Sequence, residues 1–151
     1  MVERDAALVP TLAAIDRIVE AGAGVGMPAF VIEKARSIAE VATANLKRAR
    51  AAGARFVAGS DAGTPFNRHE DFAHELDLMQ RWLGMNPREV VAAATADAAR
   101  LLDLDCGRLA PGAVADVVLL RAGVADGRLD FHDPLAVIKS GVVVRPTSPA
   151  D

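Results

Sequence analysis

Asp61 is the residue best placed to do chemistry. It follows the short apolar run Ala54-Arg55-Phe56-Val57-Ala58-Gly59 and opens a loop containing Gly63, Pro65 and His69. A carboxylate just beyond the end of a strand can ligate a hard or borderline cation, or shuttle a proton. An Asx turn, in which Asp61 accepts a backbone N–H to shape the loop, accounts for the same residue. Spacing alone leaves both readings open. His69, at the far end of the loop, either reaches the same space or caps the loop and faces solvent. His74 lies five positions on, which does not suit the i, i+4 pair of a zincin helix, and no His-Glu-x-x-His occurs. His132, in a loop with Asp130 and Asp133, reads as a surface residue. Glu70 and Asp71 suit the positive end of the helix that follows. Cys106 has no adjacent base or Cys-x-x-Cys partner, and Ser60 lacks the flanking glycines of a nucleophile elbow.

The elements that must position Asp61 can be read from periodicity. Ala6 to Leu12 is a short apolar run ending near Pro10 and reads as a buried strand. Ala13 to Ala21 predicts a short helix with Ile15, Ile18 and Val19 on one face. Gly22, Gly24 and Gly26 then break it; this loop follows a helix and lacks the Lys-Ser/Thr pair of a phosphate-binding loop, so it reads as a connection. From Pro28, the residues Val31, Ala35, Ile38, Ala42, Leu46 and Ala49 form one stripe on a long helix. Lys47, Arg48 and Arg50 complement its C-terminal dipole, and Gly53 stops it. Strand, helix, strand is a βαβ unit of a parallel sheet, and such sheets gather functional groups at the C-terminal ends of their strands. Helices are predicted over Glu70 to Leu83, with Met79 as core, and over Pro87 to Leu102, with Asn86 as N-cap and Pro87 at N1. Ala115 to Leu120 reads as a strand, and Ser140-Gly141 joins Ala136–Lys139 to Val142–Val144 as a hairpin.

Composition narrows the function classes. The chain has 151 residues, 52% hydrophobic and 25% charged, which predicts a packed globule rather than disorder. With 17 basic and 20 acidic residues, a net charge of -3 and no Tyr, it offers neither a basic footprint nor an aromatic platform for nucleic acid. No apolar run approaches the ~20 residues that span a bilayer. The charged start Met1 to Asp5, with no apolar region behind it, predicts a cytoplasmic protein. One cysteine and three histidines leave few soft or nitrogen ligands for a metal.

The loop Gly59-Ser60-Asp61-Ala62-Gly63-Thr64-Pro65, with Asn67-Arg68-His69, resembles the eighth-strand motif of the metal-dependent amidohydrolases, closest to their imidazolonepropionase-like and prolidase-like branch. Further pieces come in that family's order: Glu75 to Met79, Ala93-Ala94-Thr95 to Leu102, Gly107-Arg108-Leu109-Ala110-Pro111-Gly112 to Val118, and Ile138-Lys139-Ser140-Gly141-Val142-Val143-Val144. The likeness covers nearly the whole chain. It implies a (β/α)8 barrel with a divalent metal, most often zinc, at the strand ends, hydrolysing C–N bonds of amides, cyclic amides or dipeptides. Asp61 matches the aspartate that ligates the metal and carries a proton from the attacking water to the leaving nitrogen. His69, with Thr64 and Asn67 of the same loop, is expected on the substrate side.

The departures from the pattern are as informative. The family's first-strand His-x-His, its bridging lysine or carboxylate and the histidines of strands five and six have no counterpart, and no histidine precedes Asp61. Leu8 to Leu12 corresponds to strand seven. A barrel of this kind takes ~250 residues, and at least ~200. The expectation is therefore a closing portion of an amidohydrolase: residues 1–104 part of the barrel, 105–145 part of a β-sandwich, and 146–151 a disordered tail. Such a chain should be inactive alone, bind no metal tightly and expose sheet edges. Its partners would be an amide or peptide-like small molecule and the missing part of the barrel or further copies of itself. The competing expectations are a non-catalytic α/β scaffold and a subunit that completes a barrel with a separate N-terminal polypeptide.

Overall fold

The computed structural model describes residues 6–120 and 129–144. The expected tail at 146–151 lies outside them. Strand β1 (Ala7–Leu8), helix α1 (Leu12–Ala21), a 3-10 turn (Gly22–Val25), helix α2 (Ala29–Ala51) and strand β2 (Arg55–Phe56) come first. A second 3-10 turn (His69–Asp71) leads into α3 (Phe72–Leu83), α4 (Pro87–Ala94) and α5 (Ala96–Leu101). Three short strands, β3 (Val117–Leu119), β4 (Ala136–Lys139) and β5 (Val142–Val144), follow.

β1 and β2 pair in parallel, Ala7 opposite Arg55 and Leu8 opposite Phe56. The ladder runs one bond further, Val57 N–H donating to the Leu8 carbonyl at 2.9 Å. The connection between them is helical, as the βαβ reading requires, and it holds the two helices expected between the strands. The other sheet is antiparallel in the order β3-β4-β5. Its β4–β5 turn is Ser140-Gly141, both at positive φ, and the Asp116 carboxylate accepts the Ser140 N–H at 2.7 Å. This fits a turn with both central residues left-handed.

The core lies where α1 and α3 meet the parallel pair. Leu12, Ala13, Phe56, Leu76, Leu78, Met79, Leu83, Met85, Val90 and Ala93 form one buried cluster. The α3 stripe reaches it because Leu76, Met79 and Leu83 recur at helical spacing. α3 stops at Gly84, whose φ of 65 lets its N–H cap the Met79 carbonyl. Asn86 and Glu89 then close a reciprocal capping box around Pro87 at N1. The long helix α2 is less buried than its stripe predicts. Of the stripe, Leu46 and Ala49 pack on the core and Ala35 is buried, but Ile38 is 45% exposed; off the stripe, Phe30 is 70% and Val41 60% exposed, so much of the helix's apolar surface stands open among the described residues.

The helix predicted over Pro87 to Leu102 is broken at Thr95, where φ is -129 and ψ -91. The Thr95 hydroxyl bonds back to the Val91 carbonyl at 2.6 Å, a geometry that competes with the helix ladder. Gly107 presses on the same point: a Cβ there would stand 2.7 Å from both the carbonyl carbon and the oxygen of Thr95. Gly107 also has φ +75. Gly107→Ala should therefore cost about 2 kcal/mol or more, from left-handed strain plus overpacking against rigid backbone. The urea midpoint of the variant checks this.

Candidate active site

The site is built at the C-terminal end of β2. After Phe56, the chain runs through buried Val57 and Ser60 and turns sharply at Asp61, a non-glycine residue at φ 54. Asn67 holds that turn. It is 2% exposed, and its Nδ2 donates to the Ser60 carbonyl at 2.6 Å and to the Asp61 carbonyl at 3.1 Å. The Thr64 hydroxyl donates to the Asp61 carbonyl at 3.1 Å. Gly63 N–H to the Asn67 carbonyl (2.9 Å) and Asn67 N–H to the Thr64 carbonyl (3.0 Å) close the loop on itself. All the bonds given to Asp61 go to its backbone oxygen, and its side chain stands exposed.

The residues expected from the sequence thus lie together on one loop. Asp61 presents its carboxylate outward. Thr64 and Asn67 spend their donors on the loop, and the Asn67 Oδ1 is a buried acceptor with no partner. His69 is exposed, and its Nε2 approaches Gly63: a Cβ on that glycine would lie 3.9 Å from it. Asn67→Ala should unpin the Asp61 turn and cost about 1–3 kcal/mol, because the buried Ser60 carbonyl loses its donor and the Asp61 carbonyl is left with Thr64 alone. Faster amide exchange across residues 60–68 is the measurement that checks it.

A second polar group, which sequence reasoning missed, lies between α1 and α3. Glu75 is 0% exposed. Its Oε2 accepts the Ala13 N–H at 2.6 Å, and its Oε1 has no partner. Burial pushes its carboxyl up to about 7; the Ala13 and Leu12 N–H groups hold it down in part, and the negative charge of Asp16 pushes it further up. The His74 Nε2 meets Asp16 Oδ2 at 2.6 Å, both residues buried. For Glu75 the signal was available, since it shares the stripe of Phe72 and Met79, whereas Asp16 is buried because α1 turns Leu12 and Ala13 to the core rather than Ile15, Ile18 and Val19.

Two places bear on a metal. The strand-end loop offers one carboxylate, Asp61, where a catalytic zinc takes about three protein ligands. These residues alone do not fit a complete centre. Elsewhere, Asp16, Glu20 and His74 bring ligand atoms within 4.8 Å of one another, a possible metal-binding group. Those donors already have partners, Asp16 with His74 and Glu20 with Arg17 at 3.2 Å. A groove of about 560 Å³ opens between α1, α2 and α3, lined by Asp16, Arg36, Lys47 and Trp82 among others, and the Asp61 loop takes no part in it. No described helix is long and apolar enough to cross a membrane.

Comparison with known proteins places this arrangement. No curated protein matches the chain in sequence. Among solved structures, a candidate prolidase from Bifidobacterium longum is similar, with 28% identity and a TM-score of 0.81 over 97% of this chain and 37% of that one. A prolidase complexed with N-methylphosphonate-L-proline shares 28% identity at a TM-score of 0.76, covering 96% of this chain and 36% of its own. A Xaa-Pro dipeptidase with methionine bound in its active site shares the fold, with a TM-score of 0.79 at 24% identity, over 97% and 36% of the two chains. The chain spans little more than a third of the length of each. The model of the amidohydrolase family matches residues 1–146, nearly the whole sequence. The chain belongs to the amidohydrolase family.

Proposed function

We propose that the chain is the closing portion of a metal-dependent hydrolase of C–N bonds, with dipeptides or related amides as substrates and Asp61 as its working carboxylate. The observation that carries this is Asp61 itself. It stands exposed just past the end of a parallel strand, on a left-handed turn that buried Asn67 pins from behind. Nothing in the loop uses the carboxylate, so it is free to act on what approaches. In this reading β1 and β2 are the seventh and eighth strands of a barrel, and β3 to β5 are part of a β-sandwich. Other strands supply the remaining ligands of a divalent cation, zinc by preference, whose contribution is Lewis acidity. Asp61 accepts a proton from the attacking water and returns it to the leaving nitrogen. His69 flanks the substrate side, and the free Oδ1 of Asn67 is an acceptor for a substrate or barrel N–H. The prolidase relatives favour a dipeptide over other amides. A cytoplasmic setting is the companion proposal.

The half-exposed stripe of α2 and the two-stranded parallel sheet support the need for more chain around it. The test is reconstitution. The purified chain with added zinc should not hydrolyse an Xaa-Pro dipeptide, whereas the chain joined to or mixed with the upstream barrel segment should. Zinc-dependent turnover by the chain alone overturns the reading; so does failure of a correctly assembled barrel to hydrolyse any dipeptide or amide.

A further inference from the structure

We propose that Glu75 is a positioning residue for Asp61: its carboxylate clamps the first turn of α1 and, through the β1–α1 turn and the contact of Val9 with Gly59, fixes the backbone on which Asp61 stands. The inference rests on the reading of Asp61 as the working carboxylate only for its functional meaning. Its geometry is independent of that reading.

The N-terminus of α1 needs an outside partner. A helix starts with unpaired N–H groups and a positive end. Its N-cap residue, Thr11, makes no side-chain cap, and the first turn carries no acid. Thr11 is also held at φ 48, ψ 46, a left-handed conformation that costs a β-branched residue about 1–2 kcal/mol. A strained turn with no local cap persists only where the surroundings impose it. The group that does so is Glu75, which reaches Ala13 from 62 residues away in the chain, at 2.6 Å and in full burial.

That turn then bears on the site. Val9 lies between β1 and Thr11, and its Cγ1 stands 2.6 Å from where a Cβ of residue 59 would be. A Cβ at 59 would make Val9 shift, so the β1–α1 turn and the backbone two residues before Asp61 are in direct contact. On the other side, the Asp61 loop runs straight into α3, which carries Glu75. The path closes on itself: β2, the Asp61 loop, α3, Glu75, α1, Val9, and back to Gly59. Asp16 and His74 add a second tie between the same two helices, but Asp16 lies further along α1 than its capped first turn. A closed path of this kind adds to the hold of the loop's own hydrogen bonds on the Asp61 backbone.

The test reads backbone amides in the full chain by NMR rather than turnover, so failure of the hydrolase reading leaves it intact. Glu75→Ala should speed exchange of the Ala13 amide about tenfold or more and shift the Gly59, Ser60 and Asp61 resonances, with Val142–Val144 at their wild-type positions. Glu75→Gln keeps an acceptor for Ala13 and should restore the Asp61 resonances. Val9→Ala, at a 44% exposed position, should shift Gly59 to Asp61 while Ala13 stays protected. Unmoved Ser60 and Asp61 resonances in Glu75→Ala overturn the proposal. If that variant does not fold, Val9→Ala decides: shifted Gly59 and Asp61 resonances support the relay, and unmoved ones refute it.

Discussion

Asp61→Asn should lower kcat/KM of the assembled hydrolase by about 10²- to 10⁴-fold, the usual contribution of a positioned proton-transfer group. The thermal midpoint should barely change. Both halves of this expectation come from the geometry. The bonds given to Asp61 are made to its carbonyl by Asn67 and Thr64, and a change of side chain leaves them in place. Asn, like Asp, is also among the non-glycine residues that tolerate the left-handed φ of 54 found there. Asp61→Ala makes the useful contrast, because it removes the same carboxylate but adds backbone strain, so it should lose activity and stability together. Activity assays paired with melting curves of the two variants separate the chemistry from the fold. An Asn variant that retains full activity would remove Asp61 from the mechanism.

The second large effect concerns stability and pH. Glu75 titrates near 7 in the folded chain against an ordinary value of 4.5, chiefly because it is buried. Below pH 4.5 it is protonated in both folded and unfolded states, and burying the neutral carboxyl carries no charge penalty. Between 4.5 and about 7 the unfolded chain gives up this proton while the folded chain keeps it. The unfolded state is favoured as pH rises through that window. Above about 7 both states are ionised and the loss levels off. The whole effect is at most about 3 kcal/mol. Glu75→Gln removes the titration while keeping an acceptor for the Ala13 N–H. The variant should therefore gain on the wild type by a few kcal/mol between pH 5 and pH 8, read from urea midpoints at the two values. His74 and Asp16 are present in both proteins, so the difference reports Glu75 together with its charge coupling to Asp16. Parallel pH profiles of the two proteins would exclude it.

How much was legible in the sequence follows the range of each interaction. The capping box of Asn86, Pro87 and Glu89 closes within four residues, so its start signal is complete in the sequence. The same holds for the hairpin turn at Ser140-Gly141 and for the C-terminal stop of α2 at Gly53, whose N–H bonds to the Arg50 carbonyl. The loop around Asp61 is also local: Thr64 and Asn67 act three and six positions away. Its place beyond a strand was therefore readable, although its burial of Asn67 was not. Where the reading failed, a remote residue was involved. The helix expected over Pro87 to Leu102 has strong propensity along its length, and at its break Gly107 lies against the Thr95 carbonyl from outside the window, beside the local bond of the Thr95 hydroxyl to Val91.

By itself the sequence determined the ordered motifs of the amidohydrolase family, the parallel βαβ unit and the carboxylate at its end, because short-range periodicity and spacing carry those. Only the tertiary structure decided what holds that carboxylate. Glu75 caps a helix 62 residues away and His74 meets Asp16 across 58, pairings that depend on how α1 and α3 pack. A buried acid must find a partner or hold its proton, but which partner it finds is settled only when the helices meet.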